Sequence, residues 1–234
     1  MKRPWMIDEL AYAGPEHLDP TFVAGYDTKQ GHPSPAEDLE VFVAHGLDSS
    51  SIVVDLGAGT GQFAIEAARR FARVIAVDVS PVMLGLLGEK TANESLDNVE
   101  RIRAGFLTYR HSGSLADGIY TRNALHHLPD FWKALALDRM ASFIKPGGLL
   151  RIHDLAYDFL PSDTDQVFDR WFDCAVIDSA HGYTTQDFIE HIRTEHSTFR
   201  WLFESMLTRA GFDIVDVAFR GSTYGSYTCT RHVA

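Results

Sequence analysis

The run Val53-Val54-Asp55-Leu56-Gly57-Ala58-Gly59-Thr60-Gly61 reads as a short β-branched strand that breaks into a glycine-rich turn at the start of a helix. Glycine belongs where the backbone turns sharply and must admit a ligand with no Cβ in the way. Dinucleotide-binding loops follow G-x-G-x-x-G, but here Gln62 stands where the third glycine of that pattern would be. Asp55, just before the turn, would repel pyrophosphate oxygens and suits a ligand that carries an amino group. The apolar run Val74 to Val77 then ends in Asp78, which can accept hydrogen bonds from a ribose diol. A nucleoside is therefore expected beside the loop, with the loop spacing disfavouring NAD. Proton-transfer chemistry has its own candidates in Asn123, His126 and His127, and in His153 next to Asp154.

Such groups need a rigid sheet edge. Strand-like and helix-like patterns alternate from Ser51: strands at Ile52, Val74, Val99, Gly118 and Leu149, and helices near Thr60 to Phe71, Pro81 to Asn93 and Phe131 to Ile144. A turn at Lys145-Pro146-Gly147-Gly148 precedes the strand Leu149 to Leu155. Alternation of this kind predicts right-handed βαβ crossovers, a parallel sheet buried on both faces, and helices on each side. The carboxyl ends of the strands, where all the candidate groups fall, form the ligand edge of such sheets. Residues 1–35, broken by Gly14-Pro15 and Gly31-His32-Pro33, read as an N-terminal cap segment, and 36–155 as the α/β core. Residues 156–210 hold no convincing strand and read as a helical cap whose three helices are capped by Ser162, Thr184 and Ser197. Residues 211–234 read as a terminal β-hairpin.

Composition narrows the partners. The net charge of -11 disfavours nucleic acid, and no apolar run approaches the roughly 18 residues that span a bilayer. Two cysteines, Cys174 and Cys229, suit reduced thiols, so the cytoplasm is the expected compartment. A small molecule is the expected partner, and the oligomeric state is left open.

Taken in order, Asp55 to Gly61, Asp78, Ala124-Leu125-His126-His127-Leu128-Pro129-Asp130 and Lys145-Pro146-Gly147-Gly148 resemble the class I S-adenosylmethionine-dependent methyltransferases, over roughly residues 38–155. The resemblance implies a doubly wound, mostly parallel seven-stranded α/β sheet of order 3-2-1-4-5-7-6 with an antiparallel last strand. It implies that Asp55 and the backbone at Gly57 and Gly59 hold the methionine part of S-adenosylmethionine and that Asp78 takes the ribose hydroxyls. Met83 would line the adenine pocket, and Ala58, Gly61, Val79, Gly105 and Asn123 complete the cofactor-binding set. Many relatives place an aspartate after the third strand to meet the adenine amine. This chain has Gly105-Phe106 there, so Phe106 is expected to cover the ring instead.

Displacement at a sulfonium needs no acid for its leaving group, so proximity and orientation can supply much of the catalysis. His126, His127 and His153 are the candidate bases, although adjacent His153 and Asp154 must point to opposite faces of their strand. Glu190-His191 and Glu195-His196 bring a metal to mind, but histidines five apart on a helix lie about 140° from each other, and no metal is expected. Two other readings stay open: a nicotinamide oxidoreductase, and a cofactor-binding regulator without chemistry.

Overall fold

The computed structural model describes residues 3–233. Short helices α1 (Glu9–Tyr12), α2 (Pro20–Lys29) and α3 (Ala36–Ala44) precede the alternating core. The core runs β1 (Ile52–Leu56), α4 (Gln62–Ala68), β2 (Arg73–Asp78), α5 (Pro81–Asn93), β3 (Val99–Arg103), β4 (Ala116–Arg122), α6 (Asp130–Phe143) and β5 (Ile144–Tyr157). There follow α7 (Thr164–Phe172), α8 (Thr185–Thr194), the two-residue strand β6 (Thr198–Phe199), α9 (Arg200–Arg209), β7 (Phe212–Arg220) and β8 (Tyr224–Arg231).

The sheet order is β3-β2-β1-β4-β5-β8-β7, the expected order renumbered by the extra strand, with β8 antiparallel to both its neighbours. Burial of both sheet faces explains the apolar runs Ile52 to Val54 in β1 and Val74 to Val77 in β2. Val54, Leu56, Ile75 and Val77 enter the core beneath α6 and α9, while Val53, Val74 and Ala76 enter the one beneath α3 and α4. Among the described residues no helix is long and apolar enough to cross a membrane.

Three local expectations are corrected. The cap does contain a strand, because β6 pairs in parallel with Ala156 and Tyr157 at the far end of β5. Lys145 to Gly148 is a bulge inside β5, opposite Asp117. Thr184 caps α8 through a reciprocal capping box with Asp187, but Ser162 does not cap α7, and Ser197 bonds His191 instead of capping α9.

Asp38, on α3, ties that helix to the sheet from within. Its carboxylate accepts from His153 Nε2 at 2.6 Å, Arg151 Nε at 2.9 Å and the Tyr120 hydroxyl at 3.1 Å. These bonds outweigh burial and hold the carboxyl below its ordinary range. Removing one partner of a buried charged network strands the others, so Asp38→Ala should lower unfolding free energy by about 3–5 kcal/mol in denaturant titrations near neutral pH. A depressed carboxyl contributes stability above its unfolded pKa and loses it as pH falls through the folded one, so the gap between wild type and variant should close below about pH 4.

Candidate functional site

The glycine loop is bent by its own backbone. The N–H groups of Gly57 and Ala58 both donate to the Val77 carbonyl, at 2.9 and 3.0 Å, which folds the end of β1 over the end of β2. The next N–H, that of Gly59, donates to Asp78 Oδ2 at 2.8 Å, and Ser80 N–H donates to Asp78 Oδ1 at 2.8 Å. Gly57, Gly59 and Gly61 all lie at positive φ (+74°, +53° and +87°). Their surroundings differ. A Cβ on Gly57 would stand 2.5 Å from Ala124 Cβ and one on Gly61 would strike Leu87, whereas one on Gly59 would meet nothing within 4 Å. Gly59 is thus the glycine that opens onto the cleft.

Two buried acids sit under this loop. Asp55 is 2% exposed, and burial, then the charge of Asp78, push its carboxyl well above the ordinary range. Burial raises Asp78 as well, against the pull of the Ser80 and Gly59 N–H groups. Among the described residues neither acid makes an ion pair with a lysine, arginine or histidine. The same pocket is lined by Tyr26, Gln30, Arg122 and Asn123. Arg122, at the end of β4, is half-buried, has no carboxylate in ion-pair contact among the described residues, and leaves Nε without a hydrogen-bond partner.

Helix α2 lies across the opening. Asp27 accepts from Thr60 Oγ1 at 2.5 Å, Gln62 Nε2 at 2.9 Å and Lys90 Nζ at 2.5 Å, and these partners hold its carboxyl low. Gln30 accepts from Asn123 Nδ2 at 3.4 Å and donates to the hydroxyl of Tyr183, while Lys29 pairs with Asp187 of α8 at 3.3 Å. Asn123, at φ +50°, accepts in turn from the Tyr224 hydroxyl at 2.8 Å. The sequence reading named Asn123 but missed Tyr26, Asp27, Gln30, Arg122, Tyr183 and Tyr224. None of them stands in a local pattern, since α2 and its C-cap bring Tyr26, Asp27 and Gln30, β4 brings Arg122, the start of α8 brings Tyr183 and β8 brings Tyr224.

The remaining cofactor candidates divide. Val79 is half-buried beside Asp78, and the ring of Phe106 approaches Gly57, its Cζ 3.9 Å from where a Cβ would be. Met83 is 2% exposed under the first turn of α5. Gly105 does not face open space: the carboxylate of Glu9 fills the position above it and accepts from Leu107 N–H at 2.9 Å and Thr108 Oγ1 at 3.0 Å. A carboxylate does stand beside the end of β3, then, but α1 supplies it.

The three histidines occupy different surroundings. His153 is held by Asp38 and by Ser226 Oγ at 2.8 Å. On the opposite face, His126 is buried between two carboxylates, with Nδ1 on Asp154 and Nε2 2.9 Å from Glu195. Those carboxylates overcome the burial that opposes charge and raise its pKa to about 9. His127 lies against it, the rings tilted by 42° with centroids 4.3 Å apart, and burial, then the charge of His126, lower its pKa to about 3. His126 and His127 are thus moved to opposite sides of neutral pH, and His153 has both ring nitrogens engaged. His191 also contacts Glu195, whereas His196 lies beyond the end of α8, so the 140° spacing expected for the pair does not apply.

A doubly wound sheet with a nucleoside-type loop at its carboxyl edge defines a Rossmann-like cofactor domain. A model of a methyltransferase domain family matches residues 53–148. The trans-aconitate 2-methyltransferase of Deinococcus radiodurans is 34% identical over 148 residues, 60% of this chain and 53% of that protein, so the chain spans about half the length of this relative. The ubiquinone/menaquinone biosynthesis C-methyltransferase of Allorhizobium ampelinum is 27% identical over 189 residues, 76% of this chain and 70% of that protein. Among solved structures, magnesium protoporphyrin IX methyltransferase from Synechocystis, with bound S-adenosylmethionine, superposes at TM-score 0.65 over 98% of this chain and 100% of that one; at 14% identity this is a likeness of fold. The chain thus carries a methyltransferase-domain match over residues 53–148 on a sheet of the Rossmann-like methyltransferase fold.

Gly59 supplies the direct test of the cleft. Gly59→Val would place a branched side chain at positive φ on the ligand side of the loop, where it displaces no protein atom. S-adenosylhomocysteine binding should fall below detection by calorimetry while the circular dichroism of the folded protein is kept; undiminished binding would place the cofactor elsewhere.

Proposed function

We propose that this protein transfers a methyl group from S-adenosylmethionine to a small-molecule acceptor by in-line displacement, with orientation and not a strong base supplying most of the rate. The observation that carries this reading is the pairing of Asp55 and Arg122 in one pocket, each without an ionic partner there. Together they complement a zwitterion. The amino-acid end of the cofactor presents an ammonium, which suits the buried carboxyl, and a carboxylate, which suits the guanidinium. A dinucleotide offers no such end. Asp78 then receives the ribose, as its place at the end of β2 supports.

The acceptor side is framed by Tyr26, Gln30, Asn123, Tyr183 and Tyr224, all tied to one another or to the loop. Such a lining favours a partly apolar molecule with a few polar groups. Residues 3–35 and 156–210 act as one cover over it, a role supported by the Lys29–Asp187 and Gln30–Tyr183 contacts. Segments of this kind exclude water during transfer. One relative is a trans-aconitate 2-methyltransferase and another a C-methyltransferase of ubiquinone/menaquinone biosynthesis, and the choice for this chain rests on its own cap.

The reading is tested with a ligand pair that needs no known acceptor. Arg122→Met should weaken S-adenosylhomocysteine by at least about 10-fold and leave 5′-methylthioadenosine, which lacks the amino-acid end, unchanged; equal effects on both, or on neither, would contradict the zwitterion site. Activity itself is sought by intact-mass analysis of candidate metabolites for the gain of one methyl. With an acceptor in hand, His127→Ala or His153→Ala should each lower kcat by less than about 100-fold, below the usual loss of a general base.

A further inference from the structure

Helix α8 ends at Thr194, and the chain then crosses to the carboxyl edge of the sheet beside the loop that follows β4. The crossing is fixed by the backbone. His196 N–H donates to the His126 carbonyl at 2.8 Å, Lys133 Nζ holds the His196 carbonyl, and β6 pairs with β5 immediately afterwards. Glu195 is thereby brought against His126 and His127, and a ligand atom from each of the three lies within 4.8 Å of the other two.

We propose that His126, His127 and Glu195 bind a divalent first-row transition-metal ion, of which zinc is the type, and that this ion staples the cap to the core. Two imidazole nitrogens and a carboxylate oxygen are the donor set such ions take. The separation is close to what an ion needs: donors about 2.1 Å from a tetrahedral ion stand about 3.4 Å from each other, and His126 Nε2 lies 2.9 Å from Glu195 Oε2, so the pair opens by only about 0.5 Å to admit one. The surrounding groups also fit. Asp154 engages His126 Nδ1 and so directs Nε2 towards the ion, the role that outer carboxylates play for metal-bound histidines. His191 Nδ1 contacts Glu195, and its Nε2 is anchored by Ser197 Oγ at 2.8 Å, which orients the carboxylate. An ion would replace the proton that joins His126 to Glu195. With one ligand from the cap and two from the core, its effect is to hold the cap in place, and it takes no part in the displacement. This inference does not depend on the methyl-transfer reading.

The test uses the whole chain, freed of metal with a chelator, dialysed, and titrated with Co2+ by visible absorption and with Zn2+ by calorimetry. One ion per chain should bind with Kd below about 10 µM, and excess Zn2+ should raise the thermal midpoint, because an ion that binds only the folded state stabilises it. His127→Ala and Glu195→Gln should each weaken binding at least about 10-fold, whereas His181→Ala, at the exposed pair with Asp178, should not. A wild-type Kd weaker than about 100 µM, or binding equal in both variants and wild type, would overturn the site. If a variant fails to fold, the wild type still decides: Zn2+ should protect His127 from diethyl pyrocarbonate in peptide mapping, and unchanged labelling overturns the proposal.

Discussion

The N–H of Gly59 donates to the carboxylate of Asp78, and the ligand edge of the molecule is arranged around that bond. It draws the glycine loop down over β2 and leaves the Gly59 side of the turn open. It also spends part of the acceptor capacity of Asp78 on the loop, so a ribose must share what is left. Asp55, a few residues earlier, is buried near this carboxylate, and among the described residues neither acid is in ion-pair contact with a lysine, arginine or histidine. Two such acids under one loop store an electrostatic demand that a cationic ligand can meet.

The rest of the fold answers two needs that this edge creates. One is rigidity, supplied by the buried network of Asp38, Arg151, His153 and Tyr120 on one face and of Asp154 with His126 on the other. Adjacent residues His153 and Asp154 serve opposite faces, as the pleat of a strand requires. The second need is cover. Helix α2 closes over the loop through Asp27 and reaches α8 through Lys29, so the two segments outside the alternating core meet above the cleft.

Much of this was legible in the sequence because the signals are local. Strand β1, its glycine turn and the start of α4 occupy consecutive residues, and burial of both sheet faces shows directly as unbroken apolar runs. Strand β6 was not legible, since two residues carry no period. Nor was the partnership of Asp38 with His153, which lie 115 residues apart. Arg122 and Gln30 stand in no local motif, and only the folded chain brings them together in the lining of one pocket. The spacing argument for His191 and His196 considered one helix, whereas the structure ends that helix before His196 and brings Glu195 to histidines on another element.

In the proposed site Asp55, whose carboxyl burial pushes well above its ordinary range, is the group that meets a ligand ammonium. Calorimetric titration of the wild-type protein with S-adenosylhomocysteine, near neutral pH in two buffers of different ionisation enthalpy, measures this directly. The account predicts one ligand per chain and a net release of protons on binding, because the arriving ammonium ionises a carboxyl whose pKa burial had raised. Binding with no proton release, or NADH binding in its place, would contradict it.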